Sequence, residues 1–94
     1  YCVALGTYSG RIDQGDFSVA IGSLAGYTSQ GANSIILNAS GSDLSQNTTN
    51  SFYVKPIRNE TAISSYSSLF YNSSSGEIVY GVNGGTRVRS IALA

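Results

Sequence analysis

Residues 1–48 fall into three rows of sixteen: YCVALGTYSGRIDQGD (1–16), FSVAIGSLAGYTSQGA (17–32) and NSIILNASGSDLSQNT (33–48). A fourth, degenerate row follows one residue late, with NSFYVKPIRNE starting at Asn50. Down the columns, Val3, Val19, Ile35 and Phe52 form one apolar set, and Leu5, Ile21, Leu37 and Val54 a second. The two sets share a parity. Between them stand Ala4, Ala20, Ile36 and Tyr53, which an extended backbone turns to the opposite face. A strand apolar on both faces is covered on both. The Val/Ile/Phe and Leu/Ile/Val columns are therefore expected to fill the core of the repeat, and the Ala-lined face to meet a neighbouring subunit.

The second half of each row aligns Gly10, Gly26 and Ser42, then Ile12, Thr28 and Leu44, then Gln14, Gln30 and Gln46. Turns are expected at Gly6, Gly22 and Asn38 and at Gly15, Gly31 and Asn47. An exchange of Gly for Asn suits a positive φ, which Asn tolerates better than most residues. Sixteen residues hold two short strands and two turns, one coil of a narrow β-roll, or β-solenoid. Such coils stack at about 4.8 Å. The stacked Gln side chains read either as an amide ladder or as solvated turn residues. No apolar spacing of three and four argues for helix.

The repeat fades after Tyr53, and Pro56, which has no N–H to donate, marks the exit from the stack. Residues 1–58 are thus the repeat region and 59–68 a polar link. Residues 69–81 read as a β-hairpin, with Leu69-Phe70-Tyr71 and Glu77-Ile78-Val79-Tyr80 flanking a loop that ends in Gly76. Such a hairpin would cap the open edge of the last coil. Residues 82–94, with Gly84-Gly85, Arg87 and Arg89, read as a connection to a following segment.

Composition narrows the function. The 94 residues carry five basic and five acidic side chains and no His, Met or Trp. That balance offers no electrostatic footprint for nucleic acid, and the apolar runs fall far short of the roughly 20 residues a membrane helix needs. Without His, Ser-His-Asp, Cys-His and imidazole-metal sites are ruled out. The carboxylates Asp13, Asp16, Asp43, Glu60 and Glu77 are scattered, and the glycines follow the repeat rather than a phosphate-binding fingerprint. No catalytic residue, metal site or cofactor is expected, and the chain does not read as an enzyme. Cys2, the only cysteine, reads as a small buried apolar residue, with pairing to its copies near a symmetry axis as the alternative. The start lacks an initiator Met and a signal-peptide pattern, as expected of the middle of a longer protein.

The rows SVAIGSLAGYTSQGANSIILNASGS, followed by NSFYVKPIRN and then LFYNSSSGEIVYG, resemble the head repeats of YadA-like trimeric adhesins. They resemble still more the tail-fibre proteins of phages and large eukaryotic viruses. The resemblance covers about residues 1–81. It departs from the adhesins in a period of sixteen, slightly longer than theirs, and in Asn38, where the family repeat usually has Gly. It implies a homotrimer, intertwined or side by side, projecting from a virion or cell as a host-attachment fibre.

Four sequons are present, at Asn38, Asn47, Asn59 and Asn72. The first two already have a reading as turn residues; the last two lie outside the repeat and are the better candidates for glycosylation. Among the tyrosines, which read mainly as packing residues, Tyr27 at a corner is the candidate contact for a glycan or receptor. The expected function is a structural stalk of an extracellular, virion-surface fibre. The alternatives are a glycan-binding adhesin head and the repeating unit of a glycosylated filament at a cell surface.

Overall fold

A computed structural model describes residues 1–81, and the expected connection 82–94 lies outside them. The described residues are all-β and contain no helix. The chain divides into two units, the first spanning Tyr1–Arg58 and the second beginning at Asn59.

The first unit is built on a four-stranded parallel sheet in the order of the chain: β1 (Val3–Leu5), β2 (Val19–Ile21), β3 (Ile35–Asn38) and β4 (Phe52–Lys55). The partners are the residues of the sequence columns. Val3 pairs with Val19 and Val19 with Ile35, sixteen residues on each time. Ile35 pairs with Phe52, after the single inserted residue. β4 stops at Lys55, directly before Pro56. Elsewhere in the rows, Ile12 bridges to Thr28 in parallel, and Gly15 N donates to Gln30 O and Gly31 N to Gln46 O, each at 2.9 Å.

The two faces of the sheet are the reverse of those expected. The buried apolar residues are Ala20, Ala25, Ile36 and Leu44, with Tyr53 packed against them. Ala20 and Ile36 are both fully buried, whereas Leu5 is 63 % and Phe52 53 % exposed. Val3, Ile21, Ile35 and Val54 are exposed too, and Val19 and Leu37 half-buried. The expected core columns thus form the outer face. Ala25 and Leu44, from the second halves of their rows, pack with Ala20 and Ile36 and, together with small polar groups, fill the interior, so the other two columns take the opposite face. Ser18 Oγ donates to Gly15 O at 2.5 Å and Ser34 Oγ to Gly31 O at 2.6 Å. Both serines are buried.

The turn positions are also redistributed. Gly6 (φ +127°) and Gly22 (φ +112°) are left-handed. Asn38, Asn47, Gly15 and Gly31 are not among the positive-φ residues. Asn38 instead ends β3, paired with Lys55. Gly31 is needed for space: a Cβ there would meet the backbone of Asn47 and Thr48 in the next row. The left-handed side-chain-bearing residues form other columns, Tyr8 and Leu24, Asp13 and Ser29, and Phe17, Asn33 and Asn50.

Leu44 leaves its expected column. It bridges to Ala25 rather than Thr28, because Asn38 reorganises the following turn: its Nδ2 donates to Ser23 O at 2.9 Å and Ser42 O at 2.6 Å. Leu44 is thereby carried into the interior, and the Thr28 amide donates to Ser45 Oγ at 3.1 Å instead.

The second unit contains a two-stranded antiparallel sheet, β5 (Ser68–Tyr71) and β6 (Ile78–Gly81). Leu69 pairs with Tyr80 and Phe70 with Val79. Asn72 organises the loop: its N donates to Glu77 O at 2.9 Å, its O accepts from Gly76 N at 2.7 Å, and its Oδ1 accepts from Ser74 N at 2.9 Å.

Candidate functional site

The largest chemical feature of the first unit is the outer face of its sheet. Two adjacent columns, Val3–Val19–Ile35–Phe52 and Leu5–Ile21–Leu37–Val54, cross all four strands without a polar residue. Their alternation with the inner Ala20 and Ile36 follows from the two-residue pleat. Contiguous apolar surface of this kind is a candidate for contact with another apolar surface. Burying a large apolar side chain fully is worth about 1.5–3 kcal/mol, and several of these side chains are only about half exposed. Each therefore has roughly 1 kcal/mol left to gain from a partner.

At another place two tyrosines and an arginine from successive rows converge. Arg11 lies with its Cζ 5.1 Å from the Tyr8 ring centroid and 5.9 Å from that of Tyr27. Its Nη1 donates to Tyr27 Oη at 3.3 Å. The two rings stand 5.8 Å apart, tilted by 53°. Tyr27, expected as an exposed contact, is half-buried in this cluster, while Tyr8 and Arg11 are exposed. Arg11 was not expected in this cluster; Tyr8, whose φ is 59°, reaches it from a left-handed backbone that pleat alternation does not describe.

The four sequons differ sharply. Asn38 is buried, and its amide is engaged on both sides, with Oδ1 accepting from Ser40 N at 3.1 Å. Asn47, Asn59 and Asn72 are exposed. In Asn72 the Oδ1 is held by the Ser74 amide of its own sequon, and the side-chain nitrogen makes no hydrogen bond.

The Gln column forms neither an amide ladder nor a solvated turn at its first two positions. Gln14 Nε2 donates to Val3 O at 2.8 Å and Gln30 Nε2 to Val19 O at 2.9 Å, bracing the second half of each row to its own strand. Gln30 is buried and its Oε1 has no hydrogen-bond partner.

Cys2 is exposed rather than buried, its Sγ donating to Gly15 O at 3.0 Å. Hydrogen bonding first from the Ser18 backbone and then from its hydroxyl holds the thiol below the usual range. Likewise the hydroxyls of Thr48 and Ser51 lower the Tyr53 phenol. Among the described residues no three His, Cys, Asp or Glu side chains converge as a metal site would require.

No protein-family model, curated protein or solved structure matches the chain.

Proposed function

We propose that this chain is a structural segment of a homotrimeric, extracellular surface fibre that takes part in host attachment, its rows winding as a β-roll of sixteen-residue coils. The observation that carries this reading is the bulky apolar sheet face. A chain whose Val, Leu, Ile and Phe columns face outward over an interior of only Ala20, Ala25, Ile36, Leu44 and small polar groups is built to pack against copies of itself. The small interior points the same way, since a domain with so few buried apolar residues gains most of its stability from association. The number three and the virion-surface setting come from the resemblance to trimeric fibres.

Light scattering on the full chain tests the proposal: a particle of three chain masses is expected, and a stable folded monomer at micromolar concentration would sink it. Glu in place of Ile21 sharpens the test. Three charges brought together on the packing surface should dissociate the assembly, because an unpaired buried charge is costly.

A second reading, a glycan-binding head, is favoured by the Tyr8–Arg11–Tyr27 cluster, whose aromatic faces and cation suit sugars. Saturable binding on a glycan array, lost in Tyr27→Ala, would support it over a passive stalk.

A further inference from the structure

We propose that the free edge of the first row is a docking surface for one more sixteen-residue row of this chain's own type, so that the segment lengthens by adding rows at this end. The inference rests on the reading of the rows as successive coils.

The joint between the first and second rows shows what such an edge needs. Three amides of the second row and that of Asn33, which opens the third, donate back to the first: Gly22 to Leu5 O at 2.7 Å, Leu24 to Thr7 O at 2.9 Å, Ser29 to Ile12 O at 2.8 Å and Asn33 to Asp16 O at 2.9 Å. All four donors are left-handed residues. The positive φ turns each N–H out of its own row and toward the preceding one.

Their counterparts sixteen residues earlier are Gly6, Tyr8, Asp13 and Phe17, and these are left-handed as well, with φ of 127°, 59°, 54° and 56°. None of their amides makes a hydrogen bond, although each adopts the geometry that serves the row joint. Holding a residue with a Cβ in this region is strained. In Leu24, Ser29 and Asn33 an inter-row bond offsets that strain. In Tyr8, Asp13 and Phe17 nothing does.

The acceptors repeat in the same way. Val3, Gly10, Ile12 and Gly15 donate to Ser18 O, Ala25 O, Tyr27 O and Gln30 O, and the matching carbonyls of the first row, Cys2, Ser9, Arg11 and Gln14, accept no hydrogen bond. Cys2 heads the column of Ser18 and Ser34, both buried. Its exposure marks the side of that column that no row covers.

The occupant is specified by its glycines. A Cβ on Gly6 would stand 2.7 Å from Gly22 C, and one on Gly15 would stand 2.5 Å from Ala32 N. A docked row therefore needs glycine at these same two columns, nine residues apart.

The test extends the full chain at Tyr1 with a second copy of residues 17–32 and follows amide hydrogen exchange. Exchange at Gly6, Tyr8, Asp13 and Phe17 should slow by more than about tenfold, and alkylation of Cys2 by iodoacetamide should slow with it. An extension in which both glycines of the added copy are changed, Gly22→Val and Gly31→Val, should protect neither. Unchanged exchange at these four amides, while Gly22, Leu24, Ser29 and Asn33 stay protected, would overturn the inference and leave the stacked-row reading intact. Rapid exchange at the second set as well would overturn both. Equal protection by the valine-bearing extension would refute the glycine requirement.

Discussion

An added Cβ at Gly31 would run into the carbonyl oxygen of Thr48, although the backbone there is not left-handed; at Gly41 φ is +82° and the surroundings are open. The two glycines are kept for different reasons, and alanine separates them. Gly41→Ala should cost about 1–2 kcal/mol, the strain of one left-handed residue. Gly31→Ala should cost clearly more, because backbone of the next row must move aside. Urea denaturation of the two variants measures the difference, and the reverse order would contradict the packing described for this column. Asn38 makes a second prediction at this scale. With its Nδ2 bonded to Ser23 O and Ser42 O, the amide has no hydrogen to exchange for a sugar without breaking the turn. In protein secreted by a glycosylating host, site-resolved mass spectrometry should find glycan on Asn72 and none on Asn38. A glycan on Asn38 of the folded protein would show that the turn forms differently.

Within a row, the braces from Gln14 and Gln30 tie one half to the other. Both amides donate to a strand carbonyl, but Gln30 is buried and Gln14 only half-buried. A lost hydrogen bond costs about 1–3 kcal/mol where the group left behind is buried, and less where water replaces it. Gln30→Ala should therefore destabilise by about 1–3 kcal/mol and Gln14→Ala by less; equal midpoint shifts in thermal unfolding would show that burial does not govern these braces. The hairpin depends on its loop in a different way. Gly76 is left-handed at φ +81° with open space around it, so Gly76→Ala should weaken protection of the β5–β6 amides without a steric clash. Hydrogen exchange on that variant checks this, and unchanged protection would remove Gly76 from the account of the turn.

Across the first unit, apolar surface is divided unequally between inside and outside. Ile36 and Ile21 lie in the same sheet, one fully buried and the other 37 % exposed. Glu at position 36 should abolish folding, since the interior has no partner for a carboxylate. Glu at position 21 should lower the assembly state while retaining the β-sheet signal of the separated chains. Circular dichroism with light scattering distinguishes the two. Loss of all sheet signal in both variants, with the wild-type chain monomeric, would mean that the outer columns serve folding of the single chain rather than packing between chains.

The strand partners were legible in residues 1–58 because stacked rows place equivalent residues side by side, so that a repeat in sequence becomes a pairing register in space. Val3, Val19, Ile35 and Phe52 could be aligned on paper and are aligned in the sheet. The hairpin was legible for a similar local reason, two apolar runs around a loop ending in Gly76. The direction of the faces was not. Alternation of period two separates Val3 and Leu5 from Ala4 but is silent on which set turns inward when both are apolar. The residues that pack from the second halves of the rows decide that: Ala25 and Leu44 join Ala20 and Ile36 in one cluster and leave Val3 and Leu5 on the other face. Nor did residue type reveal the left-handed columns, where Tyr8, Leu24 and Phe17 sit beside Asn33; in Leu24 and Asn33 that conformation serves bonds between rows. The slip of Leu44 to Ala25 belongs with these, because it follows from how the Asn38 side chain bonds in three dimensions. Sequence determined which residues are neighbours along the stack, and tertiary structure alone decided which of them face inward, because only packing brings the second halves of the rows against one face of the strands.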